Sequence, residues 1–138
     1  MDAKTLADLE AIKQLKARYF RFLDTKAWEE WGNVFTEDAR LQWGPEDSQV
    51  MEGREAIVAT VSAALDGAVS VHHGHMPEIE LLGGGRARGV WAMHDRIDHP
   101  AYQLRGYGHY HEEYREQDGE WRIHRTTLTR LTEERGRT

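Results

Sequence analysis

The hydrophobic period of this chain changes once, and that change limits its fold more than any other feature. From Thr5 to Leu23 the apolar positions Leu6, Leu9, Ile12, Leu15, Tyr19 and Phe22 recur at three- and four-residue steps, the pattern of a helix that buries one face. Trp28, Trp31 and Phe35 continue this spacing as a short second helix, with Gly32 as its weak point and Thr36-Glu37-Asp38 as its exit. Ile57, Val61 and Leu65 mark a third helix from Arg54 to Leu65, closed by Asp66-Gly67. Beyond that point the residues alternate. Val69 to Met76, Glu78 to Leu82, Arg86 to Asp95, Gln103 to Glu116 and Glu120 to Arg130 read as strands. Gly83-Gly84-Gly85 and Asp118-Gly119 supply the positive φ that tight hairpins need, and His99-Pro100 interrupts the remaining hairpin. Helices followed by an antiparallel sheet predict an α+β domain with the helices packed on one face of a curved sheet.

A chain of 138 residues fits one domain. Residues 1–132 are expected to form it, with Glu133 to Thr138 as a flexible tail. Such a length can enclose both a core and a cavity without disulfides, and the absence of cysteine excludes thiol catalysis and iron–sulfur ligation. With 24 acidic and 18 basic side chains the net charge is −6, so phosphate backbones are repelled and no nucleic-acid partner is expected. No apolar run approaches the ~20 residues of a membrane span, and the N-terminus lacks the basic and apolar regions of a signal peptide. The reading is a cytoplasmic protein without a membrane partner.

Eight histidines are present, five of them in His72-His73-Gly74-His75 and His109-Tyr110-His111. On strands, His73 and His75 share a side, as do His109 and His111. They can be half-exposed surface residues or a metal site, or one of the cluster can transfer protons. Asp24 ends the first helix, where the helix dipole disfavours a carboxylate. It can simply terminate the helix, or it can orient a histidine from the sheet by accepting one ring N–H. Tyr19 lies about 140° away around an ideal helix, so the two share a pocket only if the helix end distorts or the pocket is wide. Trp91, Met93 and Asp95 fall on one strand face; a buried carboxylate there needs a partner, and Arg125 and Arg130 are the candidates. No glycine-rich segment follows the strand-to-helix pattern of a phosphate loop.

Four segments in order carry a resemblance: Ala11 to Leu15 with Tyr19 and Asp24; Trp31 through Phe35 to Ala39; Val71-His72 through Pro77 to Leu81; and Tyr110 to Tyr114 with Asp118 to Ile123. Together the chain, from about Leu6 to Leu131, resembles the SnoaL-like branch of the nuclear transport factor 2-like superfamily. The resemblance implies a cone-shaped curved sheet wrapped around N-terminal helices, with an apolar pocket between sheet and first helix. The family's dehydratases and dehydrochlorinase are cofactor-free lyases that eliminate water or HCl with a His–Asp pair. On that pattern the aspartate is Asp24, the histidine is His72 rather than His73, and Tyr19 matches the tyrosine that polarises a substrate oxygen. Asp95 matches a second pocket carboxylate; the dehydrochlorinase arginine falls near Thr126, which leaves a halide site unsupported. The alignment aims Tyr110 inward and His109 and His111 outward, away from any metal role.

The expected function is therefore a cofactor-independent, dehydratase-type elimination on a small cyclic or aromatic hydrophobic substrate. Tyr19, Asp24 and His72 would be its catalytic residues, and Trp43, Trp91, Met93, Asp95 and Tyr110 would line its pocket. An isomerase using the same base and a non-catalytic ligand-binding protein are the alternatives. A homodimer or homotrimer through the outer sheet face is implied as well.

Overall fold

The computed structural model describes residues 1–137. Helix α1 spans Ala3–Asp24 and starts where the Asp2 side chain accepts the Thr5 N–H at 2.8 Å, which satisfies one of the free donors of a first turn. Its buried residues are Ile12, Leu15, Lys16, Tyr19 and Leu23. Helix α2 is a single short turn, Trp28–Gly32. Strand β1 (Phe35–Gln42) follows, then a 3-10 turn at Asp47–Gln49, strand β2 (Val50–Glu52) and helix α3 (Arg54–Ala64). Four long strands complete the chain: β3 (Val69–Gly83), β4 (Arg86–Asp98), β5 (Gln103–Gln117) and β6 (Glu120–Gly136).

The strands form one curled, unclosed sheet in the order β2-β1-β6-β5-β4-β3. Its concave face closes over the helices around Ile12, Leu15, Trp31, Phe35, Ile57 and Ile123, none more than 1% exposed. Each such side chain contributes about 1.5–3 kcal/mol when taken from water. The two expected turns form as described: Gly83, Gly84 and Gly85 have φ of 81, 63 and 71°, and Asp118 and Gly119 have φ of 54 and 78°.

Four expectations need correction. Phe35 does not end a helix but opens β1, because the Ile123 N–H bonds the Val34 carbonyl at 2.8 Å and draws the chain into the sheet. The sheet is mixed rather than antiparallel: β1 runs parallel to β6, with Leu41 opposite Thr126, since the long connection between them lets the chain return in the same direction. Val69 to Leu82 is one strand, not two, kinked where Met76 takes φ 44° before Pro77 and the register to β4 shifts between His75 and Glu78. Glu133 to Gly136 is not a tail. It extends β6, with Glu133 opposite Gly106 and Gly136 opposite Gln103. The side chains there are exposed, so the segment carries no hydrophobic signal, yet its backbone pairs fully. Thr138, the last residue of the expected tail, lies outside the described residues. No helix among them is long and apolar enough to cross a membrane.

Candidate active site

Strand alternation aims Ser70 and His72 of β3 into the concave face and leaves His73 and His75 exposed. Helix α1 ends directly opposite, so Asp24 reaches β3 from the last helical position. Its Oδ1 accepts from His72 Nδ1 at 2.7 Å and from the Ser70 hydroxyl at 2.9 Å, and its Oδ2 accepts the His72 backbone N–H at 2.7 Å. Three donors on one carboxylate offset the unfavourable end of the helix dipole. Because a carboxylate only accepts, Nδ1 carries the proton and Nε2 is the nitrogen available to the cavity that His72 helps to line.

That cavity has a volume of about 760 Å³. Tyr19, Leu23 and Trp31 wall it from the helices, Leu41, Trp43 and Met51 from β1, β2 and the segment between them, and Val61, Ala64 and Leu65 from α3 and the residue after it. Asp95, Ile97, Leu104, Tyr110, Leu128 and Arg130 complete the sheet wall. Tyr19 is buried, and this pushes its phenol ionisation far above the usual range, with the charges of Glu112 and Asp24 acting in the same direction. Tyr19 is thus a neutral hydroxyl donor at any physiological pH. The Tyr110 ring meets that of Tyr19 edge to face, with centroids 6.0 Å apart. Tyr19 and Asp24 are brought to one site by the pocket's width together with His72, which Asp24 holds from behind.

His72, Asp95 and Gly106 sit opposite one another across β3, β4 and β5. Directly opposed side chains on one face have Cβ atoms about 4.5–5.5 Å apart, so the Asp95 carboxylate stands beside the imidazole. On its other side Arg130 of β6 reaches across Gly106 and forks onto Asp95, Nη1 to Oδ1 and Nη2 to Oδ2, both at 2.9 Å. A Cβ at Gly106 would collide with both the guanidinium and the carboxylate; only the missing side chain lets the pair lie flat. Of the two arginines expected as partners, Arg130 is the one; Arg125 faces the other way, toward Glu113 at 3.5 Å.

Two expected pocket residues do not line the cavity. Trp91 and Met93 face the concave side, but α1 covers that stretch of sheet. Phe20 sits over Gly74, where a Cβ would meet its ring at 2.6 Å and Trp91 at 3.3 Å, so Trp91 and Met93 are core residues, 6% and 3% exposed. Trp43, Asp95 and Tyr110 do line it. His109 and His111 face outward with His73, His75 and His94, and His94 stacks on Tyr107 at 4.9 Å. Among the described residues no three His, Asp or Glu side chains converge as a metal site requires.

Sequence reasoning missed the polar group beneath the cavity. Lys16 and Glu112, both with fully buried side chains, bond at 2.7 Å. Glu112 also accepts from Thr126 Oγ1 at 2.6 Å and from the Tyr114 hydroxyl at 2.7 Å, and Tyr114 accepts the Trp91 indole N–H at 2.9 Å. A signal existed: Lys16 falls four residues after Ile12, in phase with the apolar stripe, and Glu112 alternates with Tyr110 and Tyr114.

The profile of the SnoaL-like domain matches residues 4–127. The chain belongs to this SnoaL-like family. Solved structures agree on its fold. A Novosphingobium aromaticivorans protein named for scytalone dehydratase is 22% identical, with a TM-score of 0.86 over 97% of this chain and 91% of its own. A hexachlorocyclohexane dehydrochlorinase, LinA-type3 of Novosphingobium barchaimii, is 16% identical, with a TM-score of 0.85 over 99% and 94%. A Mycobacterium tuberculosis protein of unknown function is 26% identical, with a TM-score of 0.78 over 92% and 73%. The chain thus has a SnoaL-like fold, which these structures share.

Proposed function

We propose that this protein is a cofactor-independent lyase that eliminates water from a small cyclic or aromatic hydrophobic substrate. The observation that carries the reading is His72, held by Asp24 through Nδ1 at 2.7 Å with its other nitrogen turned to an apolar cavity. In the proposed step Nε2 takes a proton from carbon next to a carbonyl, and Tyr19 donates to the carbonyl oxygen as negative charge gathers there. The electron pair left by the C–H bond forms the C=C bond, the neighbouring C–O bond breaks, and the imidazolium returns its proton to the leaving hydroxide as water. The enzyme ends unchanged and needs no cofactor for the balance.

Asp95 beside His72 supports this reading, since a carboxylate next to the imidazolium steadies the charge formed in mid-reaction, while the Arg130 fork holds that carboxylate in place. The cavity's apolar walls exclude water from the base. Its volume falls in the range of about 300–1,000 Å³ of sites that enclose a small ligand.

The test is a panel of cyclic β-hydroxy ketones and hydroxylated aromatics, followed by the absorbance of the conjugated product, with the substrate α-proton exchange followed in heavy water. Turnover that falls with His72→Ala supports a lyase. Exchange or a shifted double bond without loss of water makes the protein an isomerase instead. Saturable binding of panel members with neither reaction, in wild type and His72→Ala alike, leaves a binding protein.

A further inference from the structure

The polar cluster beneath the cavity is not used by the proposed step, and its geometry is specific. The Lys16 ammonium has a carboxylate on one side and aromatic faces on others: it lies 3.6 Å from the centre of the Tyr19 ring, 3.8 Å from that of Tyr110 and 4.9 Å from that of Phe20. Tyr19 and Tyr110 both line the cavity and are set edge to face, with ring centroids 6.0 Å apart. Lys16 does not line the cavity, so it cannot touch a ligand there; whatever it does, it does through these rings.

We propose that Lys16 is a positioning residue of this site: its buried ammonium, clamped by Glu112, grips Tyr19 and Tyr110 by their ring faces and strengthens the Tyr19 hydroxyl as a hydrogen-bond donor. The proposal rests on the lyase reading for its meaning, though not for its test. Two arguments carry it. A buried ion pair is seldom more stable than apolar side chains of the same volume, and Leu or Met at position 16 would continue the α1 stripe; the charge has a use beyond packing. A desolvated cation over an aromatic face is attracted to the ring. It favours any shift of electron density onto the phenol, which is what donation to a developing oxyanion requires. The carboxylates that face Tyr19, namely Glu112, Asp24 and Asp95, all oppose that shift, and Lys16 is the cation set against its ring.

Genetic incorporation of a trifluorinated tyrosine at position 19 of the full chain, whose phenol ionises near neutral pH, gives a readout that needs neither substrate nor turnover. The comparison is Glu112→Gln against Lys16→Met/Glu112→Gln, so that the Glu112 charge is absent from both and only the Lys16 ammonium differs. The midpoint at position 19 should rise by one pH unit or more, a tenfold change, while the same label at exposed Tyr107 stays in place. An unchanged midpoint in a folded double variant overturns the proposal. Should that variant not fold, nitrogen-15 spectroscopy of the lysine side chains in the unmodified protein decides. A charged Lys16 ammonium at neutral pH with protons shifted by the aromatic rings supports the proposal, and a neutral or unshifted amine overturns it. The panel turnover above then tests the lyase reading separately: position 19 can titrate as expected in a protein that turns nothing over.

Discussion

Two carboxylates that meet nitrogen bases at the concave face of the sheet, Glu112 of β5 and Asp24 at the end of α1, are finished differently. Glu112 is closed: Lys16, Thr126 and Tyr114 donate to it, and its side chain is fully buried. Asp24 is closed as well, by Ser70 and by His72 twice, but its histidine is open, because the second ring nitrogen has a cavity in front of it. The first arrangement has no chemistry left to offer a ligand; the second has one basic atom left over. Where the sheet is covered by α1 the polar groups satisfy each other, and where it curls away from α1 they leave one to a guest.

The comparison breaks most plainly if both sites respond alike to mutation. On the lyase reading, His72→Ala is expected to lower turnover on the panel by about 10²–10⁴-fold, the usual worth of a positioned general base, with little change in urea midpoint. Asp24→Asn should follow it, because an amide N–H facing Nδ1 favours the wrong tautomer. A His72→Ala variant that retains wild-type turnover would end the general-base assignment. At the closed site the loss should fall on stability instead. Lys16→Ala leaves the Glu112 charge buried without its partner, and urea unfolding should show about 3–5 kcal/mol lost; a loss under about 1 kcal/mol would mean that water reaches Glu112 and that the site is not closed at all.

Gly106→Ala sharpens the boundary between the two. A methyl there must displace the Arg130–Asp95 fork, which should cost about 1–3 kcal/mol as an overpacked contact and also lower turnover, since Asp95 stands beside His72. Stability lost with turnover kept would detach the fork from the chemistry.

The smallest effect belongs to the convex side, at His124, whose Nδ1 lies 3.0 Å from the Thr36 hydroxyl. Burial, with Arg115 next, holds its pKa below the ordinary 6.5, so the unfolded chain takes up a proton more readily than the folded one. Its contribution to stability is present above about pH 6.5 and is lost as pH falls through the lower folded value. Thermal melts of His124→Gln between pH 7 and 5 should fall less steeply than those of wild type; equal slopes would assign the acid sensitivity elsewhere.

Much of the fold was legible because its signals are local. The stripe of α1, the Arg54 start of α3, and the glycines of the two hairpins follow from residues a few positions apart. The early strands were not, since β1 is drawn from the α2 turn by the bond between Val34 and Ile123, 89 positions apart. The end of β6 was missed for the opposite reason: Glu133 to Gly136 pairs through its backbone alone. In the site, Asp24 and Tyr19 stood out as a carboxylate and a phenol at the end of an apolar stripe. The choice of His72 over His73 needed the resemblance, because either strand register would have been self-consistent.

What the sequence by itself determined is the set of elements and the chemistry each face carries, because three- and two-residue periods and turn glycines act within one segment. Only the tertiary structure decided which of those faces meet: that Asp24 finds His72, that Arg130 crosses Gly106 to reach Asp95, and that α1 covers Trp91 and Met93 while leaving Tyr110 to the cavity. Those outcomes depend on how far the sheet curls around α1, a property of all its strands together that no single segment encodes.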